Sequence, residues 1–134
     1  MLKPQILISG PTISTDVDLV TRLQGVAHVL KSSQNSRIEA LIKDEKVALI
    51  LVEILKEAFS DLKVIKRVKN NFPEVAILLI DGDRELMAEA FSYGVKDAFR
   101  KPYKSSLVVE RVKAILGGLN NTHLSKKSER KSIT

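Results

Sequence analysis

The chain has 134 residues, a formal net charge of +6 and no cysteine. Its length suits one globular domain, and the lack of Cys excludes disulfides, thiolate metal sites and a cysteine nucleophile. With aromatic residues at 4% and no Trp, the core must be aliphatic. The charge is uneven: Lys126, Lys127, Arg130 and Lys131 against Glu129 place a net +3 within residues 117–134. The opening apolar run Ile6-Leu7-Ile8 is cut at once by Ser9-Gly10-Pro11. That is too short for a signal-peptide core or a bilayer span, so a soluble, cytoplasmic protein is expected.

Gln5–Ser9 reads as a buried strand, short, apolar and ended by Gly10-Pro11. Ser14 or Thr15 is placed to cap a helix carrying Val17, Val20 and Leu23, with Asp16 and Asp18 near its positive end. Ala27–Lys31 is a weaker strand suited to an edge, and Ser36 is placed to cap a helix with Ile38, Leu41 and Ile42 on one face. Val47–Val52 has no polar break, so it needs cover on both faces and belongs at the centre of a sheet. Residues 60–71 form an amphipathic helix stopped at Phe72-Pro73. Val75–Ile80 is a second fully apolar strand, and Asp83–Tyr93 a helix ended by Gly94. Val95–Phe99 is a last short strand, and Lys104–Leu116 a closing helix ended by Gly117-Gly118. Residues 1–118 are thus read as one domain and 119–134 as a basic, flexible tail.

Five β–α units in strict alternation predict an α/β fold, a five-stranded parallel sheet with helices on both faces. Ligands in such folds bind beyond the carboxyl ends of the strands. Topology alone therefore directs attention to Ser9-Gly10, Glu53, Asp81 and Lys101.

Three segments carry a family resemblance: Val47–Glu53, Asn71-Phe72-Pro73-Glu74-Val75, and Ala90–Tyr103 with its Tyr93-Gly94 followed by Lys101-Pro102. From Gln5 to Leu116 the chain resembles the receiver domain of bacterial two-component response regulators, the CheY-like family with a flavodoxin-like (βα)5 fold. That resemblance implies positions for the family's working residues. Its magnesium-binding acidic pair falls at Ser9 and Gly10, its phosphoacceptor aspartate at Glu53, and its phosphate-contacting hydroxyl at Asp81. Its phosphate-contacting lysine falls at Lys101, and its switch aromatic at Ala98. Only Lys101 keeps the family's residue. Ser9 and Gly10 lack the hard anionic oxygens that magnesium prefers, Glu53 is one methylene too long, and Asp81 would repel an incoming phosphoryl group.

The expectation is a degenerate, pseudo-receiver signalling domain in a phosphorelay-type system, with weak or absent magnesium binding, no phosphorylation and no enzymatic activity. It would act through contacts with another signalling protein or as a homodimer. The resemblance places those contacts on the fourth helix, last strand and last helix, around Met87, Phe91, Lys96, Val109 and Lys113. Other readings stand beside it. Glu53 and Lys101 could imitate a phosphorylated state, but an ordinary, partly exposed ion pair worth about 0–1 kcal/mol is favoured. Asp81-Gly82-Asp83 could hold a metal, although a turn with Asp83 capping the next helix is the better reading. The Ser9–Thr15 loop could cradle a phosphate or nucleotide through its backbone N–H groups, and the tail could contact nucleic acid. His28 reads as an edge-strand residue and His123 as a tail residue, with no Ser-His-Asp or metal-ligand constellation around either.

Overall fold

An apolar strand without a polar break is stable only when helices cover both its faces, and this chain contains two. The computed structural model describes residues 3–54, 59–80 and 84–132, with the backbone alone for Phe59 and residues 119–132. In chain order its elements are β1 (Gln5–Ser9), α1 (Val17–Gln24), β2 (His28–Ser32), α2 (Ile38–Asp44) and β3 (Leu49–Glu53). There follow α3 (Phe59–Asn71), β4 (Ala76–Ile80), α4 (Arg84–Ser92), β5 (Asp97–Phe99) and α5 (Ser105–Ser132). The five strands form one sheet in the order β2-β1-β3-β4-β5, and every pairing is parallel. β3 and β4 are buried at every residue, whereas β2 and β5 are edges with half-buried positions.

Period-two alternation divides the core into two layers. Leu7, Ile50, Val52, Ile77 and Leu79 pack with Ile38, Ile42, Leu62, Ile65, Val68, Leu86 and Ala90, which belong to α2, α3 and α4. On the other face Ile6, Ile8, Leu49, Leu51, Leu78 and Ile80 pack with Leu19, Leu23, Val108, Val112, Ile115 and Leu116 of α1 and α5. Residues such as Leu51, with no exposed surface, hold the layers together, and truncating one to Ala costs about 2–5 kcal/mol.

Helix ends follow local chemistry, with some corrections to the sequence reading. The cap of α1 is Asp16, whose carboxylate accepts from the Leu19 N–H at 3.1 Å. Ser14 and Thr15 do not cap. They lie in a 3-10 turn, Ile13–Thr15, and their hydroxyls donate back to the carbonyls of Gly10 and Thr12. Ser36 likewise sits inside a 3-10 turn, Asn35–Arg37, and α2 begins without a side-chain cap. Gly94 ends α4 as expected. It adopts a positive φ of 99°, while Gly94 N–H donates to Phe91 and Val95 N–H to Ala90, the paired closure that favours glycine.

The largest departure is α5. The sequence reading stops it at Gly117-Gly118, yet its helical backbone runs to Ser132. Neither glycine takes a positive φ, so neither turns the chain. Inside a helix a glycine costs only about 1 kcal/mol relative to Ala. Among the described residues no helix is long and apolar enough to cross a membrane.

Candidate functional site

Strand alternation decides where the polar residues at the carboxyl end of the sheet can point. Glu53 shares the parity of Leu49 and Leu51 and so faces the α1/α5 layer, whereas Ser9 shares that of Leu7 and faces α2. Glu53 is the last residue of β3, paired with Ile80 of β4, rather than the residue following the strand. Its side chain has no exposed surface. Oε1 accepts from the backbone N–H of Thr12 at 2.8 Å and of Ile13 at 3.2 Å. Oε2 accepts from the Thr12 hydroxyl and from the Lys101 ammonium. Lys101 also donates to Thr12 Oγ1 at 2.9 Å. The loop read as a possible phosphate cradle therefore does bind an anion, and that anion is the chain's own Glu53.

This arrangement explains Gly10. Its φ of 146° is one that L side chains avoid, and a Cβ there would run into the Cβ and carboxylate of Glu53. Gly10 N–H donates to Ser32 at the end of β2, which pins the loop down. Ser9 is fully buried, and its hydroxyl donates to Asn35 Oδ1 at 2.7 Å. The Asn35 amide in turn donates to the Glu53 carbonyl at 2.8 Å. One asparagine thus ties β1 and β3 together behind the loop.

Burial opposes the charge on Glu53, but hydrogen bonds from Lys101, then from Thr12 and Ile13, outweigh it and hold the carboxyl below its ordinary range. The ion pair is partly exposed through Lys101 alone, which keeps a side-chain exposure of 33%, whereas Glu53 is sealed. Beside this cluster an open groove of about 660 Å³ is lined by Thr12, Asp16, Asp18, Lys101, Pro102, Tyr103 and Ser105. Tyr103 donates its hydroxyl to Asp16 across it. Burial, followed by the Asp16 carboxylate, pushes the phenol well above its usual range.

The sequence-derived positions Ser9, Gly10, Glu53 and Lys101 come together at one end of the sheet. Asp81, with Gly82 and Asp83, lies outside the described residues. Ala98 is half-buried in β5, packs against the α2–α4 layer and carries no ring. His28 is exposed on the edge strand β2, and the side chain of His123 is outside the description. Among the described residues no three His, Cys, Asp or Glu side chains are grouped to hold a metal. Sequence reasoning passed over Asn35 and Tyr103. Asn35 sits in the polar run Ser32–Ser36, where nothing marks one residue from another.

The sequence matches no protein-family model and no curated protein. Solved structures are similar in backbone. A response regulator receiver domain protein (CheY-like) from Methanospirillum hungatei JF-1 is 17% identical with a TM-score of 0.79, over 90% of this chain and 98% of that one. The signal receiver domain of an HD domain-containing protein from Pseudomonas fluorescens Pf-5 is 16% identical with a TM-score of 0.78, over 89% and 98%. A response regulator from Thermotoga maritima is 22% identical with a TM-score of 0.75, over 87% and 99%. The chain has the receiver fold, the flavodoxin-like five-stranded parallel sheet with five helices.

Proposed function

We propose that this chain is a receiver-type signalling domain of the two-component kind that takes up no phosphoryl group, catalyses no reaction and acts through protein contacts. The observation that carries this reading is the filled acceptor position. A carboxylate that attacks phosphorus needs a free lone pair and an open approach, and each oxygen of buried Glu53 already accepts two hydrogen bonds. Lys101, the lysine that would meet a phosphoryl oxygen in a receiver, is bonded to Glu53 instead.

The donor set also does not suit magnesium, which prefers hard anionic oxygens. Ser9 is turned away to Asn35, Gly10 has no side chain, and Glu53 would have to leave Lys101 and Thr12. The competing reading, a phosphate- or nucleotide-binding loop, loses its donors to the same carboxylate. Contact with a partner is supported by the surface of α4, β5 and α5. Phe91 is 45% exposed on α4, and Lys96 and Lys113 are exposed beside half-buried Met87 and Val109. β5 leaves an open sheet edge between them.

The test is intact-protein mass spectrometry after incubation with acetyl phosphate and magnesium. Unchanged mass is the expected result, and a phosphoryl adduct on Glu53 or Asp81 would overturn the reading. For the contact face, Lys96→Glu with Lys113→Glu is expected to abolish partner capture or self-association while leaving the melting temperature within a few degrees, about 4 °C or less. Unaltered association would remove that face from consideration.

A further inference from the structure

A second pocket, of about 350 Å³, lies at the carboxyl end of the edge strand β2, lined by Lys31, Ser32, Ser33, Gln34, Arg37 and Leu41. Its lining holds two cations and no carboxylate. Elsewhere Arg22 pairs with Asp18, Arg67 with Glu39, Lys101 with Glu53, Arg111 with Asp97 and Lys113 with Glu110. Glu39, the acidic residue nearest to Arg37 in sequence, is taken by Arg67. Among the described residues neither Lys31 nor Arg37 has an ion pair or a side-chain hydrogen bond.

The floor of this pocket is held in shape before any ligand arrives. The Ser32 hydroxyl donates to the Gln34 carbonyl at 2.8 Å and accepts from the Gln34 N–H at 3.1 Å, which closes the turn. Arg37 stands in the same 3-10 turn as Asn35, and Asn35 is anchored to Ser9 and to the Glu53 carbonyl. A pre-formed site loses less conformational entropy on binding. Its volume lies at the small end of the range for ligand pockets, and it opens at the carboxyl ends of the strands, where α/β sheets bind ligands.

We infer that this pocket binds a phosphate group, either free or carried on a small molecule. The planar fork of Arg37 matches two phosphate oxygens, Lys31 adds a point charge, and Ser33 and Gln34 supply neutral hydrogen-bonding groups. Leu41 provides one apolar wall for an organic substituent. The site shares no residue with the Glu53 cluster and stands whether or not Glu53 accepts a phosphoryl group.

The experiment is an amide NMR titration of the whole chain with inorganic phosphate and, separately, phenyl phosphate, ionic strength being held constant with sodium chloride. Saturable shifts are expected at Ser33, Gln34 and Arg37, with the Asn35 side-chain amide moving in step. Lys31→Ala with Arg37→Ala should weaken binding at least about tenfold, equal to ~1.4 kcal/mol. The charge-matched Lys63→Ala with Lys66→Ala should leave it unchanged. Thermal melts of both double variants confirm folding, since all four side chains are exposed. Shifts that never saturate, that survive in the Lys31/Arg37 variant, or that fall equally in the control would overturn the assignment. Tighter binding of phenyl phosphate would assign the site to phosphomonoesters, and equal binding to the free anion; both support it.

Discussion

Glu53 brings a charge to a position without solvent contact, so its four donors decide whether it stabilises or strains the fold. Glu53→Gln keeps the shape but turns an amide N–H₂ toward donors, of which only the Thr12 hydroxyl can also accept. A loss of about 1–3 kcal/mol in urea unfolding at neutral pH is expected. The pH dependence has a definite sign. A carboxyl lowered on folding contributes stability that is fully present above its unfolded value near 4.5 and is lost as pH falls through the folded value. The gap between wild type and Glu53→Gln should therefore close on acidification, and a gap that stays constant through the acid range would show that Glu53 is not held as the charged form. Gly10→Ala should be worse, at about 2–4 kcal/mol, because it combines a disallowed φ with overlap on Glu53; a melting temperature within error of wild type would refute the close approach. At this scale the sequence shows which residues gather but not how they bond. Glu53, Lys101, Ser9 and Gly10 can be placed by strand ends alone. That Thr12 and Ile13 turn their N–H groups onto Glu53 depends on loop geometry that no periodicity encodes, and Asn35 is one polar residue among several.

Among the elements, the strands are legible because their physics is local. Leu49–Val52 and Ala76–Ile80 are continuously apolar and must be buried on both faces, and the structure makes β3 and β4 central. Boundaries are less so: Val47 and Ala48 look no different from the strand they precede, and only pairing with β1 and β4 fixes where the ladder starts. Caps are less legible because Ser14, Thr15 and Asp16 are all capable and one turn of 3-10 helix shifts the choice. The end of α5 is hard to read for a related reason. A Gly-Gly pair marks a helix stop only when a glycine takes the left-handed conformation, and composition is silent on φ. This difference can be measured. Among the described residues, and apart from the chain neighbours and the helix's own backbone, nothing lies within 4 Å of a Cβ built at Gly117 or Gly118. If α5 continues for its 28 residues, Gly117→Ala with Gly118→Ala should add helical ellipticity and raise stability, each substitution by up to about 1 kcal/mol. Were a glycine there in the left-handed conformation, the same pair would be neutral or destabilising.

Across the whole molecule, rigidity should follow the sheet from its centre to its edges. β1, β3 and β4 are paired on both sides and buried, and the Asn35 bridge and the Glu53 cluster add polar ties between β1, β3 and the loops above them. β5 is three residues long, half-buried at each and paired in the sheet with β4 alone among the described strands. Its Ala98 fills less space against the α2–α4 layer than a ring would. Local opening requires few buried contacts to be broken where packing is thin. Native-state hydrogen exchange should therefore show the amides of Ile50–Val52 and Ile77–Leu79 exchanging only by global unfolding, with the full unfolding free energy. Those of β5 should exchange through local opening, at least about 2 kcal/mol below the global value. Equal protection across all five strands would mean that the β5 edge is as fixed as the centre and has no freedom with which to adapt to a partner. The predicted gradient places the adaptable edge beside α4 and α5, the face proposed for contact. The buried carboxylate lies in the part of the sheet that should move least.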